Sequence, residues 1–103
     1  PALDSAQREL REEAGIEATR WTEILQMDLS NSASDEQAVI FVAQGLSFHE
    51  PEPDHDEELE QRKLPFEELY QMVLRGEVRD SLTVAAVLKV KLMLLEGKLE
   101  QTR

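Results

Sequence analysis

The chain contains no cysteine, and basic residues are scarce in it. Without cysteine it forms no disulfide, no thiolate nucleophile and no sulfur-rich zinc site. Eleven lysines and arginines stand against twenty-two acidic residues, which leaves a net charge of -11. No basic patch is therefore available to hold a nucleic acid backbone, and we expect no nucleic acid partner. An anionic substrate would also be repelled unless bound cations supplied the missing positive charge.

Long apolar runs are missing as well, so that no segment predicts a membrane span or a membrane partner. The first residues show no basic region followed by an apolar one, and the lack of cysteine fits a reducing compartment, so we expect a cytoplasmic protein. At 103 residues, with 41% hydrophobic and 32% charged residues, the chain is predicted to form one domain with a small core.

The first predicted element is an acidic helix over residues 3 to 15, which Gly15 can close. Apolar residues recur at three- or four-residue spacing and form one stripe, at Leu3, Ala6, Leu10 and Ala14. At about 100° per residue, three glutamates fall within one arc beside that stripe. They are Glu9, Glu12 and Glu13. One edge of the helix is thus predicted to be packed and the other acidic.

The remaining pattern alternates strands and helices and predicts an α/β fold. Strands are expected over residues 21–29, 37–46 and, more briefly, 59–64, with an acidic loop over 47–58. Helices are expected over residues 65–76 and 81–96, the last with Asp80 and Ser81 as its cap. Because the final helix is apolar over more than one stripe, it is predicted either to be deeply buried or to cover a partner chain.

The spacing of the glutamates permits two interpretations. Carboxylates at i, i+3 and i+4 present several hard oxygen ligands to one point, which suits magnesium or manganese. Nearby arginines, here Arg8 and Arg11, can orient the outer carboxylates through forked hydrogen bonds. Acidic clusters on exposed helix faces are nevertheless common, and spacing alone favours a merely solvated face.

The order of residue types in this stretch is more specific. "RELREEAGI", residues 8 to 16, resembles the second half of the Nudix box, which reads Arg-Glu-apolar-any-Glu-Glu-any-Gly-apolar, and it matches every specified position. "LPFEELYQMVLRGEVRDSLTVAAVL", residues 64 to 88, is similar to the C-terminal part of the ADP-ribose pyrophosphatase branch of that family. The resemblance implies an α/β/α sandwich with a mixed sheet, of which residues 1–103 form the C-terminal portion and the N-terminal strands are absent.

The resemblance also implies roles for individual residues. Glu9 and Glu13 would be the principal metal ligands, and Glu12 would add a ligand or order a water. Arg8 would orient a glutamate, and Gly15 would allow the tight turn after the helix. Glu57 in the acidic loop, with Glu58 as the second choice, would assist the attacking water. The catalytic set is thus Arg8, Glu12, Glu13 and Glu57, and the metal set is Glu9, Glu12 and Glu13.

The implied reaction is hydrolysis of a diphosphate bridge, assisted by Mg²⁺ or by Mn²⁺ as a substitute. The expected substrate is a nucleoside diphosphate linked to another group, with ADP-ribose or a nucleotide sugar first, and the expected assembly is a homodimer. Because divalent cations would lie between protein and phosphates, the net charge of -11 is compatible with an anionic substrate.

The chain departs from the family pattern at its start. Counting seven residues back from Arg8 reaches Pro1, so the first glutamate of the box would precede this sequence, and the box glycine is missing too. We favour a longer protein of which these residues are a part. The alternative is a true C-terminal fragment with weak or absent catalysis, serving as a truncated or degenerate module that binds a nucleotide or a protein. A third hypothesis is an interaction protein with a solvated acidic helix.

Other residues favour simpler interpretations. His49 and His55 are expected to be solvated loop histidines, because no partner spacing supports a transition-metal site. Asp54, Asp56 and Glu58 alternate as in a calcium loop, but no glycine follows at the required place. Trp21 is more simply explained by packing than by stacking on a base.

Overall fold

The computed structural model describes residues 1–29, 36–52 and 61–101. The acidic helix is built from two kinds of helix in succession. Its first part is an α-helix, α1, over Ala2–Glu9, and its second part is a π-helical segment over Leu10–Ala14. Gly15 then turns the chain with φ of 69°, in the left-handed region that glycine adopts at little cost. Short π-helical segments recur at functional sites in proteins, and this one contains Glu12 and Glu13.

Two long antiparallel strands follow, β1 over Ile16–Asp28 and β2 over Gln37–Phe48. Their register runs from Ile16 opposite Phe48 to Asp28 opposite Gln37. Glu23 pairs with Phe41 but Leu25 pairs with Ile40, so Ile24 is an extra residue in β1. Ile24 is among the most buried side chains, at 7% exposure. Ile24 therefore has no partner residue on β2, and its apolar side chain is buried at the register shift.

Both strands are longer than the sequence pattern predicted. β1 begins at Ile16 rather than at residue 21, because "EATR" lacks the apolar alternation by which strands are recognised although its backbone pairs with the end of β2. The expected short strand over 59–64 is not found in its described part, since residues 61–64 have no regular secondary structure. Gln61, Arg62 and Lys63 are all exposed and offer no apolar face to pack. Residues 59 and 60 lie outside the described residues.

The chain divides into two compact units, Pro1–Arg62 and Lys63–Arg103. The second unit contains α2 over Phe66–Leu74, preceded by Pro65, and α3 over Ser81–Leu95. Lys91 of α3 lies 3.0 Å from a carboxylate oxygen of Glu67 in α2, and its Nζ stands 4.7 Å from the ring centroid of Tyr70. Val73 and Val87 are buried. One ion pair, one cation–π contact and apolar packing thus join the two helices.

α3 is only partly buried in the part of the chain that the structure describes. Val87 is 5% exposed, whereas three leucines on the same helix are exposed, namely Leu88, Leu92 and Leu95. Within the described ranges, none of the helices has both the length and the apolar character needed to cross a bilayer. Because the described chain contains both helices and an antiparallel pair of strands, the predicted α/β class is confirmed.

The predicted cap of α3 is confirmed at Asp80, while Ser81 is the first residue of the helix. The Asp80 carboxylate accepts hydrogen bonds from the backbone N–H of Thr83, at 2.9 Å, and from the Thr83 hydroxyl, at 2.7 Å. These two bonds lower the pKa of Asp80, the side-chain bond contributing more than the backbone bond. Because the carboxylate form is the better acceptor, the cap favours the ionised state.

We therefore expect Asp80→Ala to lower the thermal stability of the second unit at neutral pH and to matter less in acid. A carboxyl whose pKa is depressed on folding stabilises the folded state above its unfolded pKa, and that stabilisation is lost as the pH falls through the folded pKa. Thermal melting of wild type and variant across acidic and neutral pH measures the difference. Glu23→Gln is the control, because Glu23 is exposed and makes no hydrogen bond or ion pair with the described residues. A difference that stayed constant with pH would contradict the assignment.

Candidate metal-binding site

The acidic helix borders a cleft of about 440 Å³ in the first unit. Glu9 and Glu13, which are one helical turn apart, both line this cleft. The facing wall is the sheet, where Trp21 and Phe41 stand edge to face with ring centroids 6.1 Å apart and an interplanar angle of 73°. The cleft is thus apolar along the sheet and acidic along part of the helix. Trp21 packs against a neighbouring ring, in agreement with the packing interpretation.

The three glutamates of the helix differ in their surroundings. Glu9 and Glu12 are exposed, while Glu13 is partly buried. Their side chains make no hydrogen bond or ion pair with any residue that the structure describes. Within those same residues, no three carboxylate or imidazole groups stand close enough together to share a metal ion. The described chain therefore offers Glu9 and Glu13 as a pair on one cleft, with Glu12 outside its lining.

The donor chemistry fits a divalent cation. Mg²⁺ prefers oxygen ligands and is usually held by one or two carboxylates, while waters and substrate phosphates complete its coordination. Two carboxylates on a cleft wall, unpaired with any described residue, meet that requirement, and the C-terminal end of a helix adds partial negative charge close to Glu13. No third protein ligand is needed for such a site.

The carbonyls at the end of the helix are occupied by the segment that follows β2. The backbone N–H of His49 donates to the Gly15 carbonyl at 2.6 Å, and that of Glu52 donates to the Glu12 carbonyl at 2.7 Å. The Gln61 side chain donates to the Ala14 carbonyl at 3.3 Å. Helix ends leave carbonyls without intrahelical partners, so these tertiary bonds fix the end on which Glu12 and Glu13 stand.

Gly15 is required at this junction for two reasons. Its φ is left-handed, and a Cβ built on it would collide with the carbonyl oxygen of His49 and stand 3.0 Å from the backbone nitrogen of Pro51. Any larger residue would push the segment after β2 away from the helix end. The tight turn that the resemblance assigned to this glycine is therefore combined with a close approach of a second stretch of backbone.

The remaining predicted site residues do not line the cleft or lie outside the described residues. Arg8 is exposed in the last turn of α1 and pairs with none of the described residues. Arg11 contacts Glu17, with Nε 3.5 Å from a carboxylate oxygen, instead of Glu9, Glu12 or Glu13. Glu57, Glu58, Asp54, Asp56 and His55 lie outside the described residues.

Three contacts at this site were not predicted from the sequence. His49 is exposed and lies outside any helix or strand, as predicted, but its Nε2 also stands 2.8 Å from a Glu17 oxygen. The Glu52 amide and the Gln61 side chain hold carbonyls of the helix. Gln61 and Ala14 are 47 residues apart, and no local spacing pattern contains such a pair.

Comparison with known proteins supports the resemblance. The NUDIX domain family matches residues 2–86 of this chain. An ADP-ribose pyrophosphatase of Mycobacterium tuberculosis (strain ATCC 25618 / H37Rv) is 38% identical over 88 residues. That alignment covers 84% of this chain but 42% of the relative, so the chain spans less than half the length of the protein that it resembles. The family resemblance inferred from the box is thereby confirmed.

The close approach at Gly15 gives a test with a matched control. We expect Gly15→Ala to lower the free energy of unfolding by about 1–3 kcal/mol from the left-handed backbone alone, and further through the collision with His49. Gly76→Ala carries the same backbone penalty, since its φ is 78°, but a Cβ there meets no atom within 4 Å. Urea denaturation, monitored through NMR signals from each unit, gives the loss in free energy of unfolding for both variants.

The expected result is a larger loss for Gly15→Ala, with faster amide exchange at His49 in that variant. Equal losses in the two variants, with His49 exchange unchanged, would show that the helix end and the strand end are not in contact.

Proposed function

Because the chain belongs to the NUDIX family, we propose that it is part of a metal-dependent hydrolase that cleaves the diphosphate bridge of a nucleoside diphosphate linked to another group. We take ADP-ribose as the first substrate to test, with other nucleotide sugars second. The name of the aligned M. tuberculosis protein supports this choice. Since the alignment spans 42% of that relative, the activity and the substrate are proposals for the protein that contains these residues.

One observation carries the proposal. Glu9 and Glu13 line the same cleft, and neither carboxylate is paired with another of the described residues. An acidic helix that served only as a solvated face would not need to direct two of its carboxylates into a concavity. Carboxylates that line an apolar cleft and have no partner among the described residues are available as ligands to a cation.

Mg²⁺ is the proposed cation and Mn²⁺ its substitute, with Glu9 and Glu13 as the principal ligands. Glu12 lies outside the lining of the cleft and is proposed to add a ligand or to order a water. Such a cation, when bound, would screen the phosphates, polarise the bridging bond and acidify a water. The chain itself supplies the carboxylates that would hold the cation in place. It also supplies the apolar wall of Trp21 and Phe41, which keeps the far side of the cleft free of competing charge.

In the proposed reaction, a water oxygen attacks one phosphorus of the bridge, and the bond between that phosphorus and the bridging oxygen breaks. The proton of the water passes to a carboxylate, for which Glu12, Glu13 and Glu57 are the proposed candidates. Arg8 is proposed to orient a glutamate by a forked hydrogen bond, because its exposed guanidinium is unpaired with the described residues.

Two further features of the prediction belong to the proposal. A homodimer is proposed, and the exposed leucines of α3 supply apolar surface for such an interface, Leu88, Leu92 and Leu95. A cytoplasmic location is proposed from the absence of cysteine.

The function is tested by hydrolysis of ADP-ribose in the presence of Mg²⁺. We expect Glu13→Gln to lower the rate by roughly 10²–10⁴-fold, the usual contribution of a positioned proton acceptor, because the amide neither holds the cation nor accepts the proton. Glu23→Gln removes the same charge from an exposed strand position and should leave the rate unchanged. Equal rates for wild type and Glu13→Gln would contradict the catalytic assignment and favour a non-catalytic module.

A further inference from the structure

The exposed leucines of α3 form one narrow stripe along the second half of the helix. At about 100° per residue, Leu88, Leu92 and Leu95 fall within an arc of about 60°. They are 39%, 56% and 71% exposed, whereas Val87, about 100° around the helix from Leu88, is 5% exposed. We call these three leucines the leucine stripe. The helix thus has one covered side and one apolar side that the described residues leave exposed.

One flank of the leucine stripe is occupied by α2. Lys91 lies about 60° to one side of Leu88. Its Nζ stands 3.0 Å from a carboxylate oxygen of Glu67 and 4.7 Å from the ring centroid of Tyr70, both in α2. A partner that covers the stripe must therefore approach from the front or from the opposite flank.

The opposite flank carries one charge of each sign. Lys89 and Glu96 are seven residues apart, so they lie within about 20° of each other on that flank. Lys89 is half-buried and makes no hydrogen bond or ion pair with the residues that the structure describes. The Glu96 carboxylate stands 3.1 Å from Nζ of Lys98, in an exposed pair of the kind that contributes little to stability.

This pattern is complementary to itself when two copies of α3 run antiparallel. With a two-fold axis next to Leu92, the Leu88 side chain of one copy meets Leu95 of the second copy, and the two Leu92 side chains meet each other. Residues on the same flank of an antiparallel helix pair face each other, so Lys89 of each copy faces Glu96 of the other. The axis thereby generates two Lys–Glu pairs beside an apolar seam.

A parallel pair of helices uses the same residues less well. It would bring Glu96 toward Lys91 of the second copy, which is already held by Glu67 and Tyr70. Lys89 would then meet no carboxylate. The charges on the flank therefore favour the antiparallel arrangement.

We propose that a second copy of this chain covers the leucine stripe, in an antiparallel contact of α3 with α3 in which Lys89 of each copy pairs with Glu96 of the other. This inference rests on the homodimer of the proposed function and involves none of the proposed metal ligands. Three leucines per copy make a small contact, so the dimer dissociates on dilution. The net charge of -11 on each copy opposes association, and the two Lys–Glu pairs offset part of that repulsion locally.

The apolar seam is tested by sedimentation equilibrium of the full chain over a range of concentrations. Leu92→Glu removes apolar contact from both copies and sets two carboxylates against each other at the axis. We expect it to raise the dissociation constant of the dimer about a hundredfold. Leu74→Glu is the matched control, because Leu74 is also 56% exposed but lies on α2, outside the stripe. It should change the dissociation constant much less.

The direction of the helices is tested by exchanging charges on the flank. Lys89→Glu alone and Glu96→Lys alone each turn both Lys–Glu pairs into pairs of like charge, and we expect each to weaken self-association about tenfold. Glu96→Lys also makes the chain less negative, so repulsion between net charges would predict a tighter dimer for this variant. A weaker dimer from Glu96→Lys therefore reports the local pair. Thermal melting shows that each variant is folded.

Mixing the two charge variants gives the most specific result. When the Lys89→Glu chain meets the Glu96→Lys chain in an antiparallel pair, both contacts again join a lysine to a glutamate. We expect the equal mixture to form a heterodimer with an affinity close to that of wild type, although each variant alone associates weakly.

Each outcome supports or overturns the inference. If wild type is dimeric and Leu92→Glu matches Leu74→Glu, the dimer uses another surface, so the homodimer stands and the inference is overturned. If the charge variants associate as wild type does, or if their mixture stays as weak as either alone, the antiparallel pairing is wrong. If wild type remains monomeric at millimolar concentration, the proposed homodimer and this inference fall together, while the proposed hydrolysis is tested separately.

Discussion

The first unit depends on the contact between Gly15 and the end of β2. At this point the chain leaves the helix, reverses through a left-handed residue and enters β1, while His49 lies directly against the glycine. The first pair of the sheet, Ile16 with Phe48, is adjacent to that contact. Because the glycine has no side chain, the backbone after β2 can reach the helix end and bond to the carbonyls of Glu12 and Gly15. The absence of a Cβ at Gly15 thus allows the helix end and the end of β2 to lie in contact.

The charge arrangement around the helix is a second constraint on the first unit. Three like charges on one short helix repel one another, and the usual remedy is an ion pair within the helix. Arg11 is one or two residues from each glutamate and does not share a helix face with them, and it contacts Glu17 and the Glu50 carbonyl. Glu9, Glu12 and Glu13 have no partner among the described residues, so the repulsion remains among them. A protein with a net charge of -11 has little positive charge available for relieving it. A bound cation would relieve it, which gives the helix a physical reason to bind one.

Local pattern was sufficient for most of the elements, and it indicated two glutamates that line one cleft. The 3.6-residue period located the acidic helix and the helix that begins after Pro65. The long apolar stretch and its cap at Asp80 located the last helix, and the resemblance to the box indicated Glu9 and Glu13 as metal ligands before any geometry. Strand ends were harder, because "EATR" carries no apolar alternation and its place in β1 comes from pairing with residues about thirty positions away. The register shift at Ile24 is likewise a property of the strand pair, which neither strand shows alone.

The supporting contacts of the site lay beyond sequence reasoning for the same physical cause. His49 in isolation resembles any polar loop residue, and only the hydrogen bond from its amide to Gly15 brings its ring to Glu17. Spacing along one helix shows which carboxylates share a face, but it does not show which arginine is engaged elsewhere. This distinction matters for function, because a glutamate paired with an arginine and a glutamate available to a cation look the same in the sequence. Whether such a helix is merely solvated or binds a cation is therefore set by partners from outside the helix, and the sequence of the helix alone does not contain them.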